Sequence, residues 1–164
     1  MNVQENQDVI RVLIADDDEY VLDCYREAFS ESDATGAGQA LDALTAELFD
    51  VEASNEDEPR FEVTACSQGT DAITLAAAAA DDGQPFDVVI LDVRMPPGID
   101  GVEAGSQIRE LDPDVEIVFV SGYSDVPLEE LQRRVPPPLR LHYFSKPLSF
   151  SQLADDVASM IREQ

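Results

Sequence analysis

The chain has 164 residues, about one domain's worth and enough to bury a sizeable single core. With 35 acidic against 10 basic residues its formal net charge is −25, which argues against nucleic acid and anionic membrane surfaces as partners, because both would repel it. A basic partner surface or a cation suits it better, most of the acids form a solvated surface, and the preference for Arg over Lys also fits a salt-rich setting.

The N-terminal MNVQENQDVI has neither a basic start nor an apolar core segment, and the longest purely apolar run, residues 75–80, is far too short to span a bilayer. A soluble, cytoplasmic protein is expected. The first strand is expected over residues 9–15 and the first helix over 20–29. Residues 31–60 then form an insertion, since a few residues would suffice before the next strand. Within it Leu41, Leu44, Leu48 and Val51 recur at helical spacing, so it carries an additional amphipathic helix that docks on its own domain or faces a partner. Strands follow over 61–66, 86–91, 115–120 and 139–144. They alternate with helices over 71–80, 102–111, 127–134 and 150–161, the last opened by Ser149 as N-cap. Cys24 and Cys66 lack metal-ligand spacing and read as reduced, packed thiols.

Alternation of this kind implies an α/β architecture, a parallel sheet covered by helices on both faces. Runs such as "FDVVIL" are apolar without a break, as strands buried on both sides are. In such sheets the reactive crevice lies outside the carboxyl ends of the strands. Asp16 and Asp17 follow the first strand, Asp92 ends the third, Ser121 ends the fourth and Lys146 follows the fifth, so all five fall on one edge.

Two carboxylates ~4 Å apart repel by about 4 kcal/mol at an effective dielectric of about 20, so Asp16, Asp17 and Asp92 need compensation. Mg²⁺ supplies it, because it takes oxygen ligands and keeps waters for a phosphoryl group, and the sequence offers no His or Cys cluster for a softer metal. Taken alone, "DDDE" is equally an acidic cap at a helix start, and Asp18 and Glu19 need be no more than that. Lys146 is the single lysine of the chain, an ammonium on a flexible stem that can pair with a phosphoryl oxygen. Ser121 adds a hydroxyl, and Asp92 is a carboxylate able to act as nucleophile and form an aspartyl phosphate.

The stretches "VLIADDDEYVL", "FDVVILDVRMPPGIDG", "VFVSGYSD" and "YFSKP" resemble the response-regulator receiver domains of two-component signalling, over nearly the whole chain. The resemblance implies a single receiver domain over residues 1–164, with a doubly wound, CheY-like sheet of strand order 2-1-3-4-5. It implies that Asp92 is the phosphoacceptor, and that Asp17 and Asp92 ligate Mg²⁺ with the backbone carbonyl of Arg94, Asp16 acting directly or through water. Ser121 and Lys146 would bind the phosphoryl group, and Tyr143 would be the aromatic switch that reshapes the surface of the fourth helix, fifth strand and fifth helix. The sole histidine, His142, is an incidental strand residue. The implied partner is a histidine kinase or histidine phosphotransfer protein, with an output domain or a second copy on the switching surface.

Two features depart from minimal receivers: the insertion, and the loop "MPPGIDG", one residue longer than the commoner form. Both resemble receivers placed at the N-terminus of chains that end in a kinase or cyclic-dinucleotide synthase, so the chain reads as a stand-alone receiver or an excised fragment. A Mg²⁺-dependent aspartyl-phosphate phosphatase would share the nucleophile and lysine but wants a second carboxylate two residues after the nucleophile, where Arg94 stands. A non-phosphorylated interaction module is the third reading.

Overall fold

Five short stretches rich in β-branched and aliphatic residues form the strands of one sheet, the central ones buried on both faces. They are β1 (Val9–Ala15), β2 (Arg60–Cys66), β3 (Val88–Asp92), β4 (Glu116–Ser121) and β5 (Leu141–Ser145), separated by α1 (Glu19–Ser30), α2 (Gly69–Asp81), α3 (Gly101–Leu111) and α4 (Leu128–Arg134) and followed by α5 (Phe150–Arg162). A short 3-10 turn, Pro138–Arg140, leads into β5. This computed structural model describes residues 9–30, 59–122 and 126–164. The helix expected within the 31–60 insertion lies outside the described residues.

All pairings are parallel and the strand order is β2-β1-β3-β4-β5, the doubly wound order that the resemblance implied. Because side chains alternate across a strand, each central strand feeds two cores. Leu13, Val89, Leu91, Ile117 and Phe119 pack under α2, α3 and α4 with Ala72, Val102, Ile108 and Leu131. Ile10, Val12, Ile14, Ile90, Val118 and Val120 face α1 and α5, where they meet Leu22, Tyr25, Phe29, Leu153 and Val157. Each such fully buried aliphatic or aromatic side chain contributes about 1.5–3 kcal/mol, so helix placement follows from the two apolar faces more than from local propensity. Among the described residues no helix is long and apolar enough to cross a membrane.

Helix ends follow local chemistry. Ser149 caps α5 as expected, its hydroxyl accepting from the N–H of Gln152 at 3.3 Å, and Asp100 caps α3, its Oδ1 accepting from the N–H of Glu103 at 2.8 Å. Past the end of α2, Gly83 takes φ +72°, a left-handed conformation that glycine adopts without penalty, and its N–H closes onto the carbonyl of Ala80. β3 starts at Val88, later than its apolar run suggests; just before it, Asp87 accepts from the N–H of Arg11 through its carboxylate at 2.8 Å and donates its own N–H to the carbonyl of Arg11 at 2.9 Å. Leu139 and Arg140, expected in the last strand, belong to the 3-10 turn instead.

At the end of the sheet where strands begin, a polar cluster replaces apolar packing. Glu116, 4% exposed, accepts from Nη1 of Arg140 at 3.1 Å and from the side-chain amide of Gln164 at 2.8 Å, while Nε2 of His142 lies 2.8 Å from its other oxygen. The buried guanidinium of Arg109 donates to the carbonyls of Pro113, Val115 and Arg140. Burial lowers its pKa, partly offset by the charge of Glu116. His142 is thus a strand residue, as expected, but one tied to a buried carboxylate.

Candidate functional site

The strand ends converge at the opposite edge. Ala15 pairs with Cys66, and the next N–H, that of Asp16, donates to the carbonyl of Cys66 at 3.2 Å, so the acidic run emerges as β1 leaves the sheet. Asp16 Oδ1 accepts from the N–H of Asp18 at 2.9 Å, and Asp18 Oδ1 accepts from that of Tyr20 at 2.9 Å. Asp18 therefore caps α1, the structural reading of that residue, while Asp16 is turned inward and only 1% exposed.

β3 ends on Asp92, 9% exposed. Its Oδ1 accepts from the N–H of Arg94 at 3.2 Å. One carboxylate oxygen from each of Asp16, Asp17 and Asp92 lies within 4.8 Å of the others. Lys146 arrives from the far side: its N–H donates to the carbonyl of Ser121 at 2.8 Å, which fixes its backbone beside the end of β4. Its Nζ reaches Oδ2 of Asp92 at 3.2 Å and Oδ2 of Asp16 at 3.3 Å. Burial works against the Lys146 charge, but the charges of Asp16 and Asp92 outweigh it and hold the pKa above its ordinary value.

Burial raises the Asp16 carboxyl to about 6, with the charge of Asp92 adding to the rise and the Asp18 N–H and Lys146 opposing it. One ammonium does not neutralise three carboxylates. The all-oxygen donor set, with no His or Cys in it, fits a hard divalent cation of the Mg²⁺ type.

Of the residues singled out in the sequence, Asp16, Asp17, Asp92 and Lys146 form one cluster. Ser121 lies buried beside it, at the end of β4, and its backbone holds that of Lys146. Arg94 contributes its backbone N–H to Asp92, and its side chain is exposed. Tyr143 is half-buried on β5 against the core under α2 to α4. Cys66 and Cys24 are free thiols, and burial pushes that of Cys66 up to about 11, which suits a packed thiol rather than a reactive one. A contact that sequence reasoning missed joins α3 to this site: a Cβ on Gly101 would overlap the carbonyl oxygen of Asp92. The second glycine of "MPPGIDG" was the available signal.

Comparison with known proteins bears on family and fold. Sensor kinase CckA of Brucella abortus (strain 2308) is 34% identical over 82 residues, 50% of this chain and 8% of that protein. Response regulator receiver protein CpdR of the same strain is 30% identical over 78 residues, 48% of this chain and 62% of that protein. The chain thus spans less than two thirds of the length of either relative. Among solved structures, a response regulator receiver protein from Sinorhizobium medicae WSM419 superimposes with a TM-score of 0.64 at 22% identity, covering 94% of this chain and 96% of that one. A CheY-like receiver domain protein from Methanospirillum hungatei JF-1 gives a TM-score of 0.61 at 15% identity, covering 96% and 100%. At such identities the likeness shows the fold. Residues 53–158 match the family described as the response regulator receiver domain, a span that starts after the acidic pair of β1, which the sheet itself brings to Asp92. On this match the chain belongs to the response regulator receiver domain family.

Proposed function

We propose that Asp92 accepts a phosphoryl group from a phosphohistidine of a histidine kinase or phosphotransfer protein, in the cytoplasm, and that the chain signals through the resulting change in population rather than by catalytic turnover. A carboxylate oxygen of Asp92 attacks phosphorus, the P–O bond forms as the P–N bond breaks, and the imidazole nitrogen leaves with the electron pair. Asp16, Asp17 and Asp92, with the carbonyl of Arg94, would hold Mg²⁺. When bound, that ion neutralises the carboxylates and phosphoryl oxygens.

The chain's own residues supply the rest. Lys146 exchanges its contact with Asp92 for one with a phosphoryl oxygen, and its charge is already oriented, so no reorganisation is needed as negative charge builds. Ser121 donates its hydroxyl to another phosphoryl oxygen. The low exposure of Asp16 and Asp92 keeps bulk water from competing. Tyr143, on β5 between Ser121's strand and the outer surface, would turn inward as Ser121 shifts and so alter the face made by α4, β5 and α5, where an output domain or second copy would bind.

The observation that carries this reading is the meeting of Lys146 Nζ with carboxylates from two different strand ends, at 3.2 and 3.3 Å. Its test is incubation with acetyl phosphate and Mg²⁺. A one-phosphate mass increase on Asp92, absent in Asp92→Asn, is expected, and equal labelling of the variant overturns the assignment. Continuous turnover of phosphate monoesters would mark a phosphatase instead.

A further inference from the structure

The first turn of α3 presses directly on the residue to be phosphorylated. Gly101 is buried, its N–H donates to the carbonyl of Val93 at 2.8 Å, and a Cβ added there would overlap the carbonyl oxygen of Asp92, lie 2.8 Å from the Asp92 carbonyl carbon and 3.1 Å from Cα of Val93. These are backbone atoms. They are held on the other side by the sheet, since the N–H of Val93 donates to the carbonyl of Val120 at 3.1 Å and Asp92 pairs with Val120. No side chain can swing away to relieve such a clash.

The other buried glycine of the helix behaves differently. A Cβ on Gly105 would come within 2.7 Å of Cζ of Phe119, a core side chain, so substitution there strains packing without touching the backbone of the site. The same helix therefore contains two tight positions, only one of which abuts the acceptor.

We infer that Gly101 is a positioning residue for the phosphoacceptor: by bringing the α3 backbone against the 92–93 peptide it sets where the Asp92 carboxylate and the Arg94 carbonyl sit. This rests on the reading of Asp92 as acceptor. The connection is short, because Arg94 N–H already holds Asp92 Oδ1 at 3.2 Å, so a shift of the 92–93 peptide moves both groups together. Asp100, the residue before Gly101, stabilises the same first turn through its cap on the N–H of Glu103.

Any residue larger than glycine must push either α3 or the acceptor peptide by the order of 1 Å, a displacement that costs about 10²-fold in a positioned reaction. Groups that orient metal ligands cost about 10- to 100-fold in affinity when changed. Gly101→Ala is therefore expected to weaken Mg²⁺ binding, read by calorimetric titration, by about 10-fold or more, and to slow acetyl phosphate labelling by a comparable factor. Gly105→Ala is expected to lower the melting midpoint while leaving both within about twofold of the unaltered protein.

Wild-type affinity and labelling in Gly101→Ala overturn the inference, and so does an equal loss of both in Gly105→Ala. Should Gly101→Ala fail to fold, Asp100→Ala and Asp100→Asn carry the test. Loss of the cap in the alanine variant should weaken Mg²⁺ binding several-fold and the asparagine, an equally good cap, should restore it. A folded Asp100→Ala with unchanged affinity overturns the inference. Absence of labelling and of Mg²⁺ uptake in the unaltered protein would instead overturn the reading of Asp92.

Discussion

Lys146 Nζ lies 3.2 Å from Oδ2 of Asp92, a residue 54 positions earlier in the chain and two strands away in the sheet. The pair closes the site, and it forms only when β3, β4 and β5 are in register. Removing the ammonium leaves Asp16 and Asp92 facing each other. Lys146→Ala is expected to slow labelling by about 10²–10³-fold, the usual cost of one preorganised donor, and to enlarge the rise in melting midpoint that Mg²⁺ produces. Labelling kinetics and thermal melts with and without Mg²⁺ check both.

The pH dependence of stability has a defined sign. Burial raises Asp16 from 3.8 to about 6 in the folded chain, so between these values the folded state binds a proton more tightly than the unfolded one. The contribution of Asp16 to the metal-free protein is therefore fully present below about 3.8 and is lost as pH rises through about 6. Asp16→Asn should be more stable than the parent at pH 7.5, and the difference should shrink toward pH 4. Urea unfolding in chelator at the two pH values measures it.

The basal cluster gives a prediction with the opposite locality. Glu116→Ala leaves the half-exposed Arg140 without its carboxylate partner and is expected to cost about 1–3 kcal/mol in urea unfolding. Because this cluster lies at the other end of β4 and β5 from Ser121 and Lys146, Mg²⁺ affinity of the folded variant should stay within about twofold of the parent, by calorimetry.

A net charge of −25 repels itself, and among the described residues the ion pairs engage few of the acids. Added monovalent salt shortens the Debye length from about 10 Å at 0.1 M to about 3 Å at 1 M. The melting midpoint should rise by several degrees, about 1–2 kcal/mol, between 0.1 and 2 M KCl. Scanning calorimetry across that range checks it, and a falling midpoint would show that the ion pairs outweigh the repulsion.

Much of this molecule can be read from its residues because apolar period and strand-end chemistry are local signals. The run over 9–15 is β1 to the residue; the helix expected over 20–29 is one residue short of α1 at each end, and those over 102–111 and 150–161 are one residue short of α3 and α5 at one end. Asp16, Asp17, Asp92 and Lys146 were legible because a parallel sheet sends every strand end to one edge. Strand starts were harder: Asp87 interrupts the apolar run and precedes β3, although its backbone bonds both Arg11 and Glu116. The meeting of Glu116 with Arg140, His142 and Gln164 depends on side chains up to 48 residues apart, and the pressure of Gly101 on Asp92 depends on a helix–strand distance. Neither leaves a periodic trace in the chain.

β5 has a neighbour on one side only, and its two ends are fastened differently. At its foot Arg109 grips the carbonyl of Arg140 at 2.8 Å while Arg140 itself reaches the carbonyl of Asp114 at 2.8 Å. At its tip the ladder with β4 runs to Ser145 opposite Ser121, and the N–H of Lys146 adds a bond to the carbonyl of Ser121. Lys146 therefore sits at the end of a strand that is held to β4 along its whole length, three residues beyond Tyr143.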